Sequence, residues 1–457
     1  MKTIGRYIVR GLLGRGGMGR IYKVELPVVG RISALKLLEP DPLLVKLMGW
    51  DALNARFIEE ARAMAGLQHP NIAAIHDFDV HGGKPFYTMD FFANNMGIMI
   101  GESYRTEEPS RRIDIDNALD YIGQTLEGLA CLHAAGIVHR DIKPYNLLVT
   151  AGDVIKICDF GLSRQRGERF SGPANLNVGT PFYAAPEQEK DPDSADLTAD
   201  LYSVGVILYR MVTGHLPQSL PGDPSYTPPS RIHSDLDAAW DDFLSRAMAK
   251  QPGRRFVDAA SMLTALEQLG EHWKRQKERT CALAPASFSS GLAGKAETLT
   301  LRSEAAKVSE GKAQSEFGLD QLWRPKIYIE NRFICTETIV RDQATGLIWQ
   351  QAGSAFPAGW TKAVDYIKNL NTTAHAGITT WRLPTVEELM SLLRPPSRGS
   401  DLCLPSLFAS RQRWLWSADR KSFISAYYAD VTLGFIGWQD LDAPYYARAV
   451  CSAGRFK

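Results

Sequence analysis

The sequence predicts an α+β protein in two parts, and three observations carry that expectation. Tyr7-Ile8-Val9 and Ile21-Tyr22-Lys23-Val24 are short apolar runs on either side of Gly14-Arg15-Gly16-Gly17-Met18-Gly19, the pattern of two strands joined through a glycine-rich turn. Residues 56–64 and 259–267 instead carry apolar side chains at helical spacing. Beyond residue 326 the character changes again, with six of the ten tryptophans set among short strand-like runs and helical periodicity confined to 360–370 and 385–393. A chain of 457 residues has room for both parts.

The chemistry is concentrated in His139-Arg140-Asp141-Ile142-Lys143-Pro144-Tyr145-Asn146, followed thirteen residues after Asn146 by Asp159-Phe160-Gly161. An aspartate can receive a hydroxyl proton, a lysine can steady a moving phosphate, and an asparagine with a second aspartate can hold magnesium. The two strings closely resemble the catalytic loop (H-R-D-x-K-x-x-N) and metal loop (D-F-G) of the eukaryotic-type protein kinases. That resemblance implies a bilobal kinase domain over residues 1–270, with a β-rich N-lobe to about 92 and a helical C-lobe over 93–270. It also implies ATP and Mg2+ as cofactors. Asp141 is then expected as proton acceptor, Lys143 as the cation on the transferred group, and Asn146 and Asp159 as the metal ligands.

The glycine-rich stretch agrees with this frame. A G-x-G-x-x-G between a strand and a helix would be a dinucleotide fingerprint, but here a second strand follows, so the loop reads as a lid over a nucleotide. Glycines let backbone approach phosphate oxygens without a β-carbon in the way. Lys36 interrupts the apolar run Ser33-Ala34-Leu35-Lys36-Leu37-Leu38 and resembles the family's A-x-K lysine, which contacts the α- and β-phosphates. It needs a carboxylate partner, and residues 56–64 offer Glu59 and Glu60; alignment to F-x-x-E-A selects Glu60. The two lie about 100° apart around a helix, so only one can face the site. The resemblance places Met89 behind the adenine, the backbone of Asp90 and Phe92 against its edge, Ala34 and Leu148 on its two faces, and Leu13 at the lip. Gly14, Gly16, Gly17, Gly19 and Ile21 complete the expected nucleotide contacts. Asp90 departs from the family's usual Glu.

Lys143 and Thr180 in Gly179-Thr180-Pro181-Phe182-Tyr183 match the serine/threonine branch. Glu187 in Ala185-Pro186-Glu187 is expected to pair with Arg255, and Asp200 to brace the catalytic loop. Arg140 resembles kinases whose activation loop is ordered by phosphate, and Ser171 is the candidate modified serine, balanced by its reading as an ordinary loop residue. The 180–187 segment resembles a peptide-docking platform, which favours a protein substrate over a small-molecule acceptor.

A net charge of +1 gives no reason to expect nucleic acid as a partner. No apolar run approaches the length of a membrane span, and the start of the chain lacks a long apolar core, so a cytoplasmic location is expected. The six cysteines are too scattered for a disulfide framework or a zinc knuckle. Cys158 beside Asp159 reads as a small buried residue rather than a redox centre.

Residues 271–325, with a basic cluster followed by an Ala/Ser/Thr/Gly-rich stretch, read as a flexible linker. Residues 326–457 form the second module. Thr345-Gly346-Leu347-Ile348-Trp349-Gln350, Trp381-Arg382-Leu383-Pro384-Thr385-Val386-Glu387-Glu388-Leu389 and Tyr446-Ala447-Arg448-Ala449-Val450-Cys451 resemble the C-terminal domain of a Legionella collagen-like adhesin. The second string is also similar to sulfatase-modifying and C-type-lectin-like folds. Its tryptophans read mainly as core, with a ligand of this module and a role in sensing or substrate docking left as expectations. The chain as a whole is expected to be a serine/threonine protein kinase acting on protein substrates, able to form a homodimer as related kinases do. The alternative is a catalytically silent nucleotide-binding scaffold.

Overall fold

In the computed structural model, which describes residues 2–102, 108–159, 164–165, 182–191, 195–283, 299–395, 403–408 and 412–452, the N-terminal apolar runs pair into one six-stranded sheet. Its strands are β1 (Thr3–Ile4), β2 (Tyr7–Arg15), β3 (Gly19–Leu26), β4 (Arg31–Leu38), β5 (Ile75–His81) and β6 (Lys84–Asp90), in the spatial order β1-β2-β3-β4-β6-β5. Every neighbouring pair is antiparallel. One face packs Tyr7, Tyr22, Val24, Leu35, Leu37 and Phe86 into a core. β4 is paired on both sides and buried from Ser33 to Leu38, so Lys36 cannot be an exposed edge residue.

Two helices follow β4: α1 (Pro42–Met48) and α2 (Trp50–Ala65). They meet at Gly49, whose φ of 80° an L side chain rarely adopts. On α2 the buried residues are Leu53, Phe57, Glu60, Ala61 and Met64, a stripe of helical period that carries one acid among its apolar members. Glu59 lies on the exposed side.

The helical part is built on Leu197–Thr213, in which every residue from Thr198 onward is buried. A helix buried on all sides lies at the centre of its domain, and the polar residues it carries there, Asp200 and Arg210 among them, are paired. Helix Ile115–Ala134 packs along it, and Ala238–Ala247 approaches so closely that a β-carbon at Gly205 would lie 2.8 Å from Ala247 Cβ. The short strands Asn94–Asn95, Leu147–Val149 and Ile155–Ile157 pair into a three-stranded sheet that carries the catalytic-loop sequence on its rim.

The chain forms two compact units, Met1–Gln276 and Lys277–Lys457. The second has a four-stranded sheet of Phe333–Cys335, Ile339–Asp342, Leu347–Gln350 and Val450–Ser452, and a three-stranded sheet of Trp414–Arg420, Ser425–Asp430 and Phe435–Asp440. Helices Trp360–Thr372 and Val386–Leu392 lie where the periodicity changes to helical. Trp349, Trp381, Trp414 and Trp416 are at most 2% exposed and fill the interior, while Trp360 is half-buried and donates to Ser417 O at 2.8 Å.

The linker expected over 271–325 is corrected on both sides of residues 284–298, which lie outside the described residues. Helix Ala259–Leu283 continues past 271, and the buried Trp273 donates to Asp116 Oδ1 at 3.1 Å. Further on, Val308, Ala313, Phe317 and Leu319 belong to the core of the second unit. Arg302 is held bidentately by the fully buried Asp419 at 2.8 Å. Low aromatic content concealed this. A segment that packs onto a core formed elsewhere in the chain needs few large side chains of its own, and its one essential charge has a partner more than a hundred residues away.

Candidate active site

The site is assembled from the end of β4, the buried face of α2 and two loops. Lys36 Nζ donates to Glu60 Oε1 at 2.6 Å and to Asp159 Oδ1 at 2.8 Å. Tyr87 on β6, the register partner of Lys36, donates to the same Glu60 oxygen at 2.8 Å. Of the two candidate acids on α2, Glu60 is the one that meets the lysine. Burial alone would lower the Lys36 pKa, but Asp159 and Glu60 outweigh it and hold the ammonium well above its ordinary value. The Lys36 ammonium in turn pulls Asp159 down to about 2, against the opposing effect of burial. Lys36 and Asp159 are therefore both charged throughout the neutral range.

The catalytic-loop residues converge on one carboxylate. Lys143 Nζ donates to Asp141 Oδ2 at 2.7 Å, and Asn146 Nδ2 donates to Asp141 O at 2.8 Å and to Oδ2 at 3.1 Å. The backbone ties this group to Asp159: Cys158 N donates to Asn146 O at 3.0 Å. Asn146 and the residue before Asp159 therefore lie side by side, just beyond the paired ends of the strands Leu147–Val149 and Ile155–Ile157.

The loop is braced from below. Asp200, fully buried in the first turn of Leu197–Thr213, accepts from His139 N at 2.9 Å and Arg140 N at 2.7 Å, and it pairs with His133 Nε2 at 2.9 Å. Burial would raise its pKa, and the bonds from His133 and His139 hold it below the ordinary value instead. Arg140 and Asp159 both adopt positive φ, 66° and 64°, strain of the kind fixed structure holds at working sites. Arg255 grips Glu187 bidentately at 2.6 and 2.7 Å, the pair expected from the sequence.

The expected nucleotide contacts distribute as follows. Ala34 and Met89 are buried register partners on β4 and β6, Ile21, Asp90, Phe92 and Leu148 are half-buried, and Leu13 is exposed. The Asp90 carboxylate is turned to Arg31 and His76, at 2.7 and 2.8 Å, so its side chain is occupied away from the hinge backbone. Gly14, Gly16, Gly17 and Gly19 span the β2–β3 turn, closed by Gly16 N donating to Gly19 O at 2.9 Å. Their reasons differ. A β-carbon at Gly14 would meet nothing within 4 Å, whereas at Gly19 it would sit 2.2 Å from Leu37 O. Gly19 is thus required by the pairing of β3 with β4 as well as by any ligand.

Sequence reasoning missed three supports, Tyr87, His133 and Gln188, and gave no separate role to His139 of the catalytic-loop string. His139 Nε2 lies 3.1 Å from Cys158 O and its Nδ1 accepts from Asp141 N at 3.2 Å; Gln188 donates to Arg140 O at 2.7 Å. Tyr87 could have been found from strand register, while His133 and Gln188 depend on contacts distant in sequence. Cys158 is buried, and burial pushes its thiol pKa up, so the reading as a packed residue stands over a reactive one. Arg140 donates to Ala195 O at 2.7 Å. Phe160, Gly161, Ser171 and Thr180 lie outside the described residues.

A sheet-rich lobe presenting an ion-paired lysine, beside a helical lobe presenting Asp, Lys and Asn on a braced loop, defines a kinase-type catalytic domain. Residues 7–260 match the protein kinase domain family, and the chain belongs to it. Residues 338–451 match the Lcl C-terminal domain family. Relatives include serine/threonine-protein kinase PknE of Mycobacterium tuberculosis, 32% identical over 279 residues, 57% of this chain and 45% of that protein. The serine/threonine-protein kinase pkn3 of Myxococcus xanthus is 31% identical over 297 residues, 60% and 52% of the two chains. A probable serine/threonine-protein kinase of Clostridium acetobutylicum is 29% identical over 294 residues, 62% and 43%. The chain spans about half the length of these curated relatives. Among the described residues no helix is long and apolar enough to cross a membrane.

Proposed function

We propose that the chain transfers the γ-phosphoryl group of ATP to serine or threonine hydroxyls of proteins, in the cytoplasm where ATP is supplied. The observation that carries this reading is the double engagement of Lys36 by Glu60 and Asp159, which joins both lobes in one charged cluster beside Asp141. Asp141 orients the acceptor hydroxyl and takes its proton, and Lys143 offsets charge on the group in transit. Lys36, held by Glu60, positions the α- and β-phosphates. Little covalent chemistry is asked of the protein, so positioning and fixed charge supply the rate.

The donor set fits Mg2+. Asp159 offers a carboxylate, and because Asn146 Nδ2 is committed to Asp141, its Oδ1 is left as the second hard oxygen. Among the described residues no three His, Cys, Asp or Glu side chains form a metal cage. Magnesium typically takes only one or two carboxylates and completes its shell with phosphates and water. When bound, it neutralises phosphate charge.

Label from ATP should appear on protein serine or threonine in the presence of Mg2+. Lys36→Met and Asp159→Asn should each abolish it while the circular dichroism spectrum stays that of the folded wild type. Wild-type incorporation by either variant would overturn the assignment and favour the nucleotide-binding scaffold. Fusion to this catalytic unit supports a sensing or docking role for the second unit, tested by comparing rate and substrate choice with and without residues 277–457. The same preparations, weighed by sedimentation, test the homodimer.

A further inference from the structure

We propose that this site selects acceptor hydroxyls flanked by an apolar side chain rather than by Arg or Lys, and that Tyr145 and Phe182 read that flank. The inference rests on the phosphotransfer reading and adds the substrate class to it.

Tyr145 occupies the middle of the turn Pro144–Asn146, two residues from Lys143 and four from Asp141, yet it is 41% exposed. Its orientation is fixed at both ends. The phenol donates to Glu102 O at 2.7 Å, and the ring lies on Gly97, where a β-carbon would come within 2.9 Å of it. Phe182 is 43% exposed and has a φ of 78°, an outlier for a bulky residue. The next residue, Tyr183, is 1% exposed, donates to Glu102 Oε2 at 3.2 Å and accepts from Arg210 Nη1 at 2.8 Å. Glu102 therefore anchors both aromatics, holding Tyr145 through its backbone oxygen and the neighbour of Phe182 through its carboxylate.

Charge decides what these rings can accept. The Glu102 side chain is 2% exposed and lies 3.5 Å from Arg210, itself 1% exposed. This acid is consumed inside the domain and is not presented to a substrate cation. An arginine could stack on an aromatic ring, but the carboxylates nearby are already engaged, Glu102 by Arg210 and Asp141 by Lys143 at 2.7 Å. An apolar side chain needs no such partner and gains by leaving water against two rings. The strained backbone at Phe182, held by the bonds of Tyr183, keeps that ring outward where a peptide passing Asp141 would meet it.

The test uses the full chain with ATP and Mg2+ on serine peptides in which each position flanking the acceptor carries Leu, Phe, Glu or Arg in turn. Labelling of the chain itself is read in parallel. Leu and Phe should exceed Arg by about tenfold in kcat/KM at one or more flanking positions. Tyr145→Glu and Phe182→Ser should each bring that ratio towards one. Circular dichroism confirms folding, and either variant alone suffices. Labelling of the chain with a preference for Arg, with none at all, or with an apolar preference unmoved in a folded variant overturns this inference and leaves the kinase reading intact. No labelling of chain or peptide overturns both.

Discussion

Residues 139–146 of the first unit and 381–389 of the second are similarly rich in charged and aromatic side chains, and they use them in opposite ways. In the second, Arg382 closes bidentately on the buried Glu388 at 2.5 and 2.6 Å, and Thr385 and Glu388 satisfy each other's backbone in a capping box. Trp381 is core and donates to His375 O at 3.1 Å. Arg382 and Glu388 there meet one to one, while Glu387 shares Arg302 with Asp419. In the first, Lys143 and Asn146 both crowd onto Asp141, while Lys36 draws together Glu60 and Asp159. That surplus of polar groups around few partners is what a reacting group can use. Density of charge in a motif therefore does not by itself mark a site.

The comparison can be broken most severely at Asp200. Asp200→Ala leaves His139 N and Arg140 N without their acceptor and should destabilise the first unit by about 3–5 kcal/mol. It should also reduce kcat by about 100-fold or more through misplacement of Asp141. A fall in melting temperature with full kcat would show that the loop holds its geometry without the brace. Arg382→Ala should act on the other side only. Stranding the buried Glu388 charge should destabilise the second unit by about 2–4 kcal/mol, seen in a chemical unfolding curve, while the rate of phosphoryl transfer stays at wild type. A matching loss of transfer would show that the two motifs are coupled.

The smallest expected effect is the pH dependence of the Lys36–Asp159 contact. Because the Asp159 pKa is depressed to about 2, its stabilising contribution is complete above the unfolded carboxylate value and lost only as pH falls through the folded one. The difference in melting temperature between wild type and Asp159→Asn should stay constant from about pH 7 to 5 and shrink only below about pH 4. A difference that shrinks already between about pH 6 and 5 would show that Asp159 is not held by the lysine.

Much of the kinase site was legible because its chemistry dictates residue types at short, fixed separations. Asp141, Lys143 and Asn146 share one turn, and a lysine inside the apolar run of β4 demands a buried acid. The choice of Glu60 over Glu59 came from the match to F-x-x-E-A, and in the structure Glu60 falls in line with the buried Leu53, Phe57 and Met64. His133 and Gln188 were not legible, because their partners Asp200 and Arg140 lie tens of residues away and nothing local distinguishes a bracing histidine from a surface one. The linker failed for the same reason at larger scale: Arg302 and Phe317 acquire meaning only from Asp419 and Tyr427, which close over them.

By itself the sequence determined the pairing of strands around the glycine turn and the helical faces, which follow from periodicity and local stereochemistry. Its candidate reactive groups came from the resemblance to the kinase motifs. The tertiary structure alone decided which charges neutralise each other, where the second unit begins, and that Glu102 is sealed beneath Tyr145 and Tyr183. Those outcomes depend on desolvation and on partners brought together across the chain, which no local pattern encodes.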